Sequence, residues 1–511
     1  MINISTLEKA EFNQKPGLFK PGLFLYWACV ILFCVCYASL SQGAEDELDI
    51  ALPDDLDLLL GASSPTKNII SGYIKNETAY RYDEPRSFTK IRNVLYLNWQ
   101  YIFSSKAKFY SSGFGYYDHV YDLFDYDTIV ARNVRDEKEP LVFLEQLEKE
   151  KDDKRLELKE LYLDLFFNNL DIRIGRQYVV WGVLEGLRIV DEVNPMDFRE
   201  LIIPDLLDYR VPLWTLKANY YSQKTAYELI WIPELKFHQT AAPGSEWELF
   251  QVISTTTKPK SFDPKFSEIG LKVTRDMFDA EMSFSYFYTW DDYPTTFRVI
   301  SQADVQSTDP TQDLPIFPTY TRMHMFGTTL TKEIRGDILK AEFAFITDKY
   351  FAIVDKYSEG GFLEDDGDVK RNHIRWGVGY DFSFFGADIS PAIAQWFILD
   401  YRSYILSDEF DTSFNIFIRK PLLKQSAVFT LLFIRLINFE ETYVKPRITF
   451  NLTDHFQVIA GGDFFIGRRT AFGRQADSAA EGGLVTPDQR AQFLGNFSEN
   501  DRISLEFKYN F

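Results

Sequence analysis

The sequence predicts an all-β protein, a single transmembrane antiparallel β-barrel of about 18 strands, or roughly 16 to 18 given the strand boundaries. Three observations lead to this fold class. Apolar and polar residues alternate along most of the chain, every second connection between the alternating segments is short, and the last segment ends in aromatic residues at Phe511. Because successive side chains of a strand point to opposite faces, the alternation places one face in lipid and the other in water.

The predicted strands share this period of two and are close to the ~10 residues that a tilted spanning strand requires. They are 69–81, 88–102, 105–121, 157–168, 171–180, 211–221, 225–234, 266–276, 278–291, 320–333, 336–349, 371–385, 391–405, 412–421, 425–437, 441–453, 456–467 and 500–511. Segment 425–437 is apolar on both faces and Pro446 interrupts another segment, so these two fit the pattern least well.

The connections alternate in length. Short turns are predicted at Phe103-Ser104, Asn169-Leu170 and Arg335-Gly336, and around Ser222, Met277, Pro391, Leu423 and Asp454. Long loops are predicted at 122–156, 181–210, 235–265, 292–319, 350–370 and 468–499. Short periplasmic turns opposite long external loops are typical of outer-membrane barrels, and this order places both termini in the periplasm.

The two ends of the chain carry sorting features. Three lysines precede an apolar run over 23–38, and small residues follow it, which predicts a cleaved signal peptide over 1–43. A retained anchor is the alternative, although the run is short for a spanning helix. The final strand, with its alternating aromatics and terminal Phe511, resembles the C-terminal assembly signal of Gram-negative outer-membrane barrels. That resemblance implies recognition by the barrel assembly machinery and a location in the outer membrane.

Composition excludes several classes of function. All 3 cysteines (Cys29, Cys34 and Cys36) lie in the signal segment, so the mature chain has no disulfide, thiolate metal site or catalytic cysteine. A net charge of -20 argues against nucleic acid as a partner. The 5 histidines form no His-x-x-x-His pair, and no nucleophile-elbow, P-loop or dinucleotide motif occurs. We therefore expect no enzymatic activity, no cofactor and no metal.

Two segments outside the strands stand out. Residues 44–66 mix carboxylates with leucines, which predicts either a short amphipathic helix that docks on an exporter partner or a solvated acidic tail. Residues 181–210 are too apolar for a freely solvated loop, so we expect them to fold into the lumen as a constriction. A folded external cap is the alternative.

The candidate site residues lie on this loop and on the neighbouring lumen walls. Arg173 is predicted to lie diagonal to Asp164 on the lumen face and to pair with it across the strands. A bulge at Gly175 would turn Arg176 inward, and Lys445 and Arg447 are predicted to face the lumen. Such a basic wall opposite acidic loop residues would select ions; mutual neutralisation that only stiffens the barrel is the alternative. The full set is Asp164, Arg173, Arg176, Trp181, Asp191, Asn194, Asp197, Arg199, Glu200, Asp205, Asp208, Arg210, Lys445 and Arg447.

The stretch that contains Gly175-Arg176-Gln177, Trp181-Gly182, Asp191, Asn194-Pro195 and Asp197 resembles a family of Gram-negative outer-membrane barrels of unknown function. Genes of that family are often found beside inner-membrane exporters of the resistance-nodulation-division type. The resemblance implies an envelope transport role and an exporter partner. A second, weaker similarity, to alginate-export-type porins, depends on strand number alone.

Arg468, Arg469 and Arg474 cluster where strand 456–467 would leave the membrane, which predicts a contact with lipopolysaccharide phosphates or, alternatively, a solvated basic loop. The predicted function is that of an outer-membrane channel, porin-like or for export, that passes solute or a hydrophobic or lipidic cargo. The alternative is a non-conducting scaffold or adhesin that presents its long loops.

Overall fold

The computed structural model describes residues 67–83, 86–123, 154–204, 209–239, 247, 258–298, 316–353, 367–467 and 494–511. The described chain contains 18 strands that form one sheet and two that form a separate hairpin. Their bounds are β1 (Lys67–Arg81), β2 (Ser87–Ser104), β3 (Ala107–Asp118), β4 (Lys154–Phe167), β5 (Leu170–Gln177), β6 (Leu213–Ser222), β7 (Thr225–Ile232), β8 (Glu268–Met277), β9 (Ala280–Trp290), β10 (Thr295–Arg298), β11 (Ile316–Thr319), β12 (Arg322–Ile334), β13 (Asp337–Ala352), β14 (Asp368–Phe384), β15 (Ala387–Ile398), β16 (Phe410–Leu422), β17 (Ala427–Leu436), β18 (Glu441–Asn451), β19 (Phe456–Ile466) and β20 (Arg502–Asn510).

The large sheet is a closed antiparallel barrel. Each strand pairs with its neighbour in sequence, β9 pairs with β12 past the β10–β11 hairpin, and β20 pairs with β1 from Tyr73–Asn510 to Arg81–Arg502. Among the described strands, closure removes the edge strands of this sheet, which is a condition for a sheet in lipid. The predicted fold class and its 18 strands are confirmed.

The two faces of the wall differ as the alternation predicts. On β2, Leu95, Leu97 and Trp99 point outward and are 44%, 44% and 45% exposed. Lys90 and Arg92, on the opposite parity, are buried inside the barrel. Exposed large apolar side chains recur on the outer face of most strands, which makes this face suited to lipid.

Turns of two to four residues join the strands at one end of the barrel, which we call the short-turn end, and the opposite end is the long-loop end. Phe278 and Asp279 have φ of 57° and 55°, and Arg335 and Gly336 have φ of 56° and 95°. Positive φ at both positions defines the type I′ turn, whose twist matches that of paired strands.

Several predicted turns are displaced. The β2–β3 turn is at 105–106 rather than at Phe103-Ser104, and the β14–β15 turn is at 385–386 rather than at Pro391. Pro391 lies inside β15, where it pairs with Ile416 and its neighbours keep the same register. A proline removes one ladder hydrogen bond, and the long ladders on both sides hold the strand in place.

The doubly apolar segment 425–437 forms β17. Its lumen-facing residues Leu432, Ile434 and Leu436 pack against a buried cluster inside the barrel, which explains why they are not polar. The β10–β11 hairpin lies in the connection 292–319 that the sequence predicted as a loop. The helical turn Val120–Leu123 replaces the end of the predicted strand 105–121 and the start of the loop that follows it. Within the described ranges no helix is long and apolar enough to span a membrane.

Candidate functional site

The connection between β5 and β6 crosses the lumen. We call residues 178–212 the lumen loop; 205–208, which include the predicted Asp205 and Asp208, lie outside the described residues. One part of this loop binds Glu342 of β13, and another binds Lys90 and Arg92 of β2. Because β2 and β13 are nine strands apart in the ring of 18, these contacts join opposite walls.

The first attachment is a buried carboxylate. Glu342 is 3% exposed, and its oxygens accept the backbone N–H groups of Val183 at 2.5 Å, Leu184 at 2.6 Å and Val190 at 3.0 Å. Successive backbone N–H groups that converge on an anion form a binding concavity. Here the occupant is a side chain of the barrel itself, so the wall holds the loop through the loop backbone.

An apolar core surrounds this attachment. Seven lumen-loop side chains pack with residues on the inner faces of β7, β9, β12, β13 and β15. Trp181 is 1% exposed; its ring lies 5.6 Å from that of Phe287, and its indole N–H donates to Glu228 at 2.5 Å. The loop members of the core are Val179, Trp181, Leu184, Leu187, Ile189, Val190 and Val193. Burial of these residues explains the apolar composition of the loop.

Glycines in the wall make room for the same side chains. A Cβ atom at Gly270 would lie 2.5 Å from the Trp181 ring, and one at Gly327 would lie 2.7 Å from Val190 Cγ1. At Gly379 it would lie 2.8 Å from Leu184 Cδ2. A larger residue at these positions would displace the loop, so the inner wall is shaped to hold it.

The second attachment is largely ionic. Glu200 binds Lys90 through one oxygen and Arg92 Nη1 through the other at 2.7 Å. Lys445 of β18 donates to the carbonyl oxygen of Ile203 at 2.7 Å. A smaller apolar cluster that contains Leu201 and Ile203 packs against β18, β19 and the chain near Phe497.

A charged network stabilises the middle of the loop. Arg375 of β14 donates to Glu192 at 2.5 Å, and Arg188 donates to the carbonyl oxygens of Asp191 at 3.0 Å and Asn194 at 3.1 Å. Burial raises the pKa of Glu192, but Arg188 and Arg375 outweigh it and hold this pKa below its usual value. The loop therefore carries a buried ionised carboxylate inside the lumen.

Other predicted loop residues shape the loop itself. Asn194 accepts the N–H of Val179 and donates to the carbonyl oxygen of Val211, both at 2.8 Å, and thereby ties the two ends of the loop together. Arg210 Nη2 contacts the Asp191 carboxylate at 2.6 Å. Asp197 and Arg199 form an ion pair within the loop.

The connection after β7 supports the loop from the long-loop end. The backbone of Gln239 exchanges hydrogen bonds with Met196 and Phe198, and His238 Nδ1 accepts the N–H of Met196 at 2.9 Å. Burial and the cations Arg188, Lys349 and Arg375 lower the pKa of His238 well below its usual value, so the ring is neutral and accepts this bond.

The basic residues that the sequence placed on the lumen wall make close polar contacts there. Arg173 Nε and Nη2 donate to the two Asp164 oxygens at 2.6 Å and 3.0 Å, and the residues lie directly opposite each other instead of diagonally, because the turn is at 168–169. Arg447 contacts Glu506 at 2.7 Å, and Lys445 binds the lumen loop. Both basic residues face inward.

Arg176 is 9% exposed and its guanidinium lies 3.8 Å from Glu234 and 4.0 Å from Glu157. The predicted bulge at Gly175 is wrong, because the β4–β5 and β5–β6 ladders run past it without a shift. The register shifts instead between β3 and β4, where Lys159 is left over, and Arg176 Nε donates to its carbonyl oxygen at 3.2 Å. Gly175 has φ of 139°, which other residues rarely adopt.

Sequence reasoning missed Glu342, the wall glycines, and Lys90 and Arg92, which bind the predicted Glu200. A usable signal was the carboxylate of Glu342 beside the apolar residues Ala344 and Ile346 on the same face of its strand. Among the described residues no group of three or more His, Asp or Glu could hold a metal ion.

Segment 1–66 and Arg468, Arg469 and Arg474 lie outside the described residues.

OccAB4 of Acinetobacter baumannii is similar in structure, with 8% identity, a TM-score of 0.47, and coverage of 87% of this chain and 98% of that chain. OccAB3 of the same organism has 9% identity, a TM-score of 0.46, and coverage of 87% and 99%. OccK8 (OprE) of Pseudomonas aeruginosa has 10% identity, a TM-score of 0.44, and coverage of 87% and 98%.

No curated protein matches the chain. A family model described as "Protein of unknown function (DUF1302)" matches residues 75–355, which is more than half of the chain and includes the whole lumen loop and Glu342. The chain therefore belongs to the DUF1302 family.

Proposed function

We propose that this protein is a channel of a Gram-negative outer membrane whose lumen is narrowed by the lumen loop. The observation that carries the proposal is the attachment of the loop to opposite inner walls, at Glu342 and at Lys90 with Arg92. The apolar outer face and the closed ladder support placement in lipid. Export through the signal peptide and insertion through the C-terminal strand belong to the same proposal.

The lining of β1 to β5 favours a polar solute over a hydrophobic or lipidic cargo. Tyr73 stacks on Tyr96 with ring centres 5.1 Å apart, and Tyr110 stacks on Tyr162 at 5.0 Å. Arg173 covers the Tyr162 ring at 3.8 Å. Because neighbouring rings and cations occupy these ring faces, the solute meets mainly charged and hydroxyl groups here.

A closed scaffold or adhesin is the second candidate, and the two apolar clusters favour it because they seal the loop against the wall on two sides. Permeability separates the candidates. Liposomes that contain the protein should swell in small polar solutes, and a variant without residues 184–208 should admit larger ones. Equal impermeability of both proteins would support the scaffold.

We also propose an exporter of the resistance-nodulation-division type as a partner, through the acidic segment 44–66. A photo-crosslinker placed along this segment in intact cells should capture an exporter component, identified by mass spectrometry. Crosslinks only to lumen residues of the same chain would instead make the segment a plug and contradict the partnership.

A further inference from the structure

Three cationic side chains lie close together on the inner wall of β3, β5 and β6. Lys108 of β3 pairs in register with Asp164 of β4, and Asp164 pairs with Arg173 of β5. Arg173 in turn pairs with Lys217 of β6. We call Lys108, Arg173 and Lys217 the basic row. Like charges directly opposite each other, as Arg173 and Lys217 are, destabilise a sheet, so stability of the fold does not explain this arrangement.

The basic row faces the lumen and begins beside the lumen loop. Lys217 lies 4.0 Å from Glu228, which accepts the indole N–H of Trp181 in that loop. Beyond Lys217 the same register continues to Ile230 of β7 and Gly270 of β8. The ring of Trp181 occupies the space of the missing Cβ at Gly270. A solute that passes this edge of the loop therefore meets the basic row.

The basic row has donors that no described residue uses. Lys108 has neither a hydrogen bond nor an ion pair within the described part of the chain. Arg173 uses Nε and Nη2 for Asp164, which leaves Nη1. Lys217 makes no hydrogen bond to a described residue, and Glu228 is 4.0 Å away. The side chains of Arg173 and Lys217 are 29% and 17% exposed and Lys108 is partly exposed, so a solute in the lumen can reach them.

Carboxylates surround the basic row, and each accepts a hydrogen bond from a group other than the two lysines. The four pairs are Asp164 with Arg173, Glu228 with the Trp181 indole, Glu160 with the backbone N–H of Tyr178, and Asp171 with the Tyr221 hydroxyl. Lys272 of β8, a further cation, donates to the carbonyl oxygen of Trp181 at 3.3 Å. The unused groups of the basic row are therefore cationic donors.

Cationic donors beside a constriction suit an anion that passes through the lumen. Because Asp164 already uses two nitrogens of Arg173, the row offers two lysine point charges and one guanidinium nitrogen rather than a free fork for phosphate. We propose that the basic row makes the channel selective for small carboxylate anions, which move along it past the edge of the lumen loop. This inference rests on the channel proposed above and names the class of solute that the channel passes.

Reversal potentials in planar bilayers test this selectivity, with the full mature barrel between unequal concentrations of potassium acetate. The wild type should pass acetate in preference to K⁺. K108Q and K217Q should each lower the ratio of acetate to K⁺ permeability by about twofold to fivefold, because each removes one open charge. K217R keeps the charge and should keep the ratio. R275Q is the matched control, because Arg275 is exposed on the same face of β8 as the outward Leu271.

Conduction and selectivity fail separately in this experiment. A barrel that is folded by heat-modifiable migration but carries no current overturns the channel itself. A conducting barrel overturns the role of the basic row alone if the wild type prefers K⁺, or if K108Q and K217Q keep the acetate ratio of R275Q. Potassium phosphate in place of the acetate should give the wild type a lower ratio of anion to K⁺ permeability, relative to the mobilities of the free ions. An equal ratio would overturn the carboxylate class.

Discussion

The two halves of the lumen loop are attached to the barrel by different kinds of interaction. The first half contributes seven side chains to an apolar core and three backbone N–H groups to the buried Glu342. The second half depends on Glu200, whose side chain is 12% exposed, and its described residues add Leu201, Ile203 and the partly buried Ile202 to a smaller apolar cluster. Apolar burial is insensitive to salt, whereas partly hydrated ion pairs are screened by it. The first half is thus the fixed attachment, and the second half is the part that can move.

Substitution of Glu342 is expected to have the largest effect on the stability of the barrel. In E342A three loop N–H groups remain buried without an acceptor, and we expect a loss of about 3 kcal/mol or more in the free energy of unfolding. E342Q keeps one acceptor oxygen and should lose less. Denaturant unfolding of the barrel in detergent micelles measures both. E281Q, at an exposed glutamate on β9, is the control, and an E342A barrel as stable as that control would contradict the fixed attachment.

A larger residue at Gly327 of β12 tests how the first half of the lumen loop packs against the barrel wall. The Val190 side chain occupies the space of the missing Cβ, so G327V should overpack the core and destabilise it by about 1–3 kcal/mol. Proteolysis within the loop should accelerate as the loop detaches. Two other glycines cannot serve as controls. Gly336 has φ of 95°, where valine would be strained, and a Cβ atom at Gly467, at the end of β19, would be crowded. Substitution of exposed Ile393 by valine on the lipid face serves instead, and equal proteolysis of the two variants would refute the role of Gly327.

Substitution of Glu200 is expected to have a smaller effect, an increase in conductance that depends on salt. E200Q removes the charge that binds Lys90 and Arg92, so we expect the second half to loosen and conductance to rise by a factor of about two to five, as an ion-pair loss near 0.5–1 kcal/mol allows. High salt should produce the same change in the wild type. E185Q, at an exposed position of the same loop, should have no effect. If E200Q and E185Q conduct alike at every salt concentration, the second half is not held by this pair.

The smallest expected effect is a pH dependence of stability that comes from Asp501, near the second attachment of the loop. Burial raises the pKa of Asp501 to about 6, although its bond to the Phe465 N–H opposes this. Because the folded-state pKa is raised, the contribution of Asp501 to stability is fully present below about pH 4 and is lost as pH rises through about 6. Wild type should therefore lose stability across this window, and D501N should not. A matching loss in both proteins would assign the pH dependence to another group.

The sequence predicted the barrel well and its interior only in part. Period-two alternation is read from one strand at a time, so all 18 strands could be located, and an apolar loop could be recognised as unfit for solvent. The partner of that loop could not be identified. Glu342 and Val183 are 159 residues apart, and their contact depends on barrel closure and strand register. The error at Gly175 has the same origin, because the irregularity moved to Lys159 on the neighbouring strand.

Single-channel conductance in planar bilayers tests the central claim most directly, with the intact barrel compared to a variant that lacks residues 184–208. We expect the deletion to raise conductance severalfold, because it removes the segment that bridges β13 and β2 while the closed strand ladder remains. Heat-modifiable migration confirms that the shortened barrel is folded. A folded deletion variant that conducts no better than the intact protein would contradict the account.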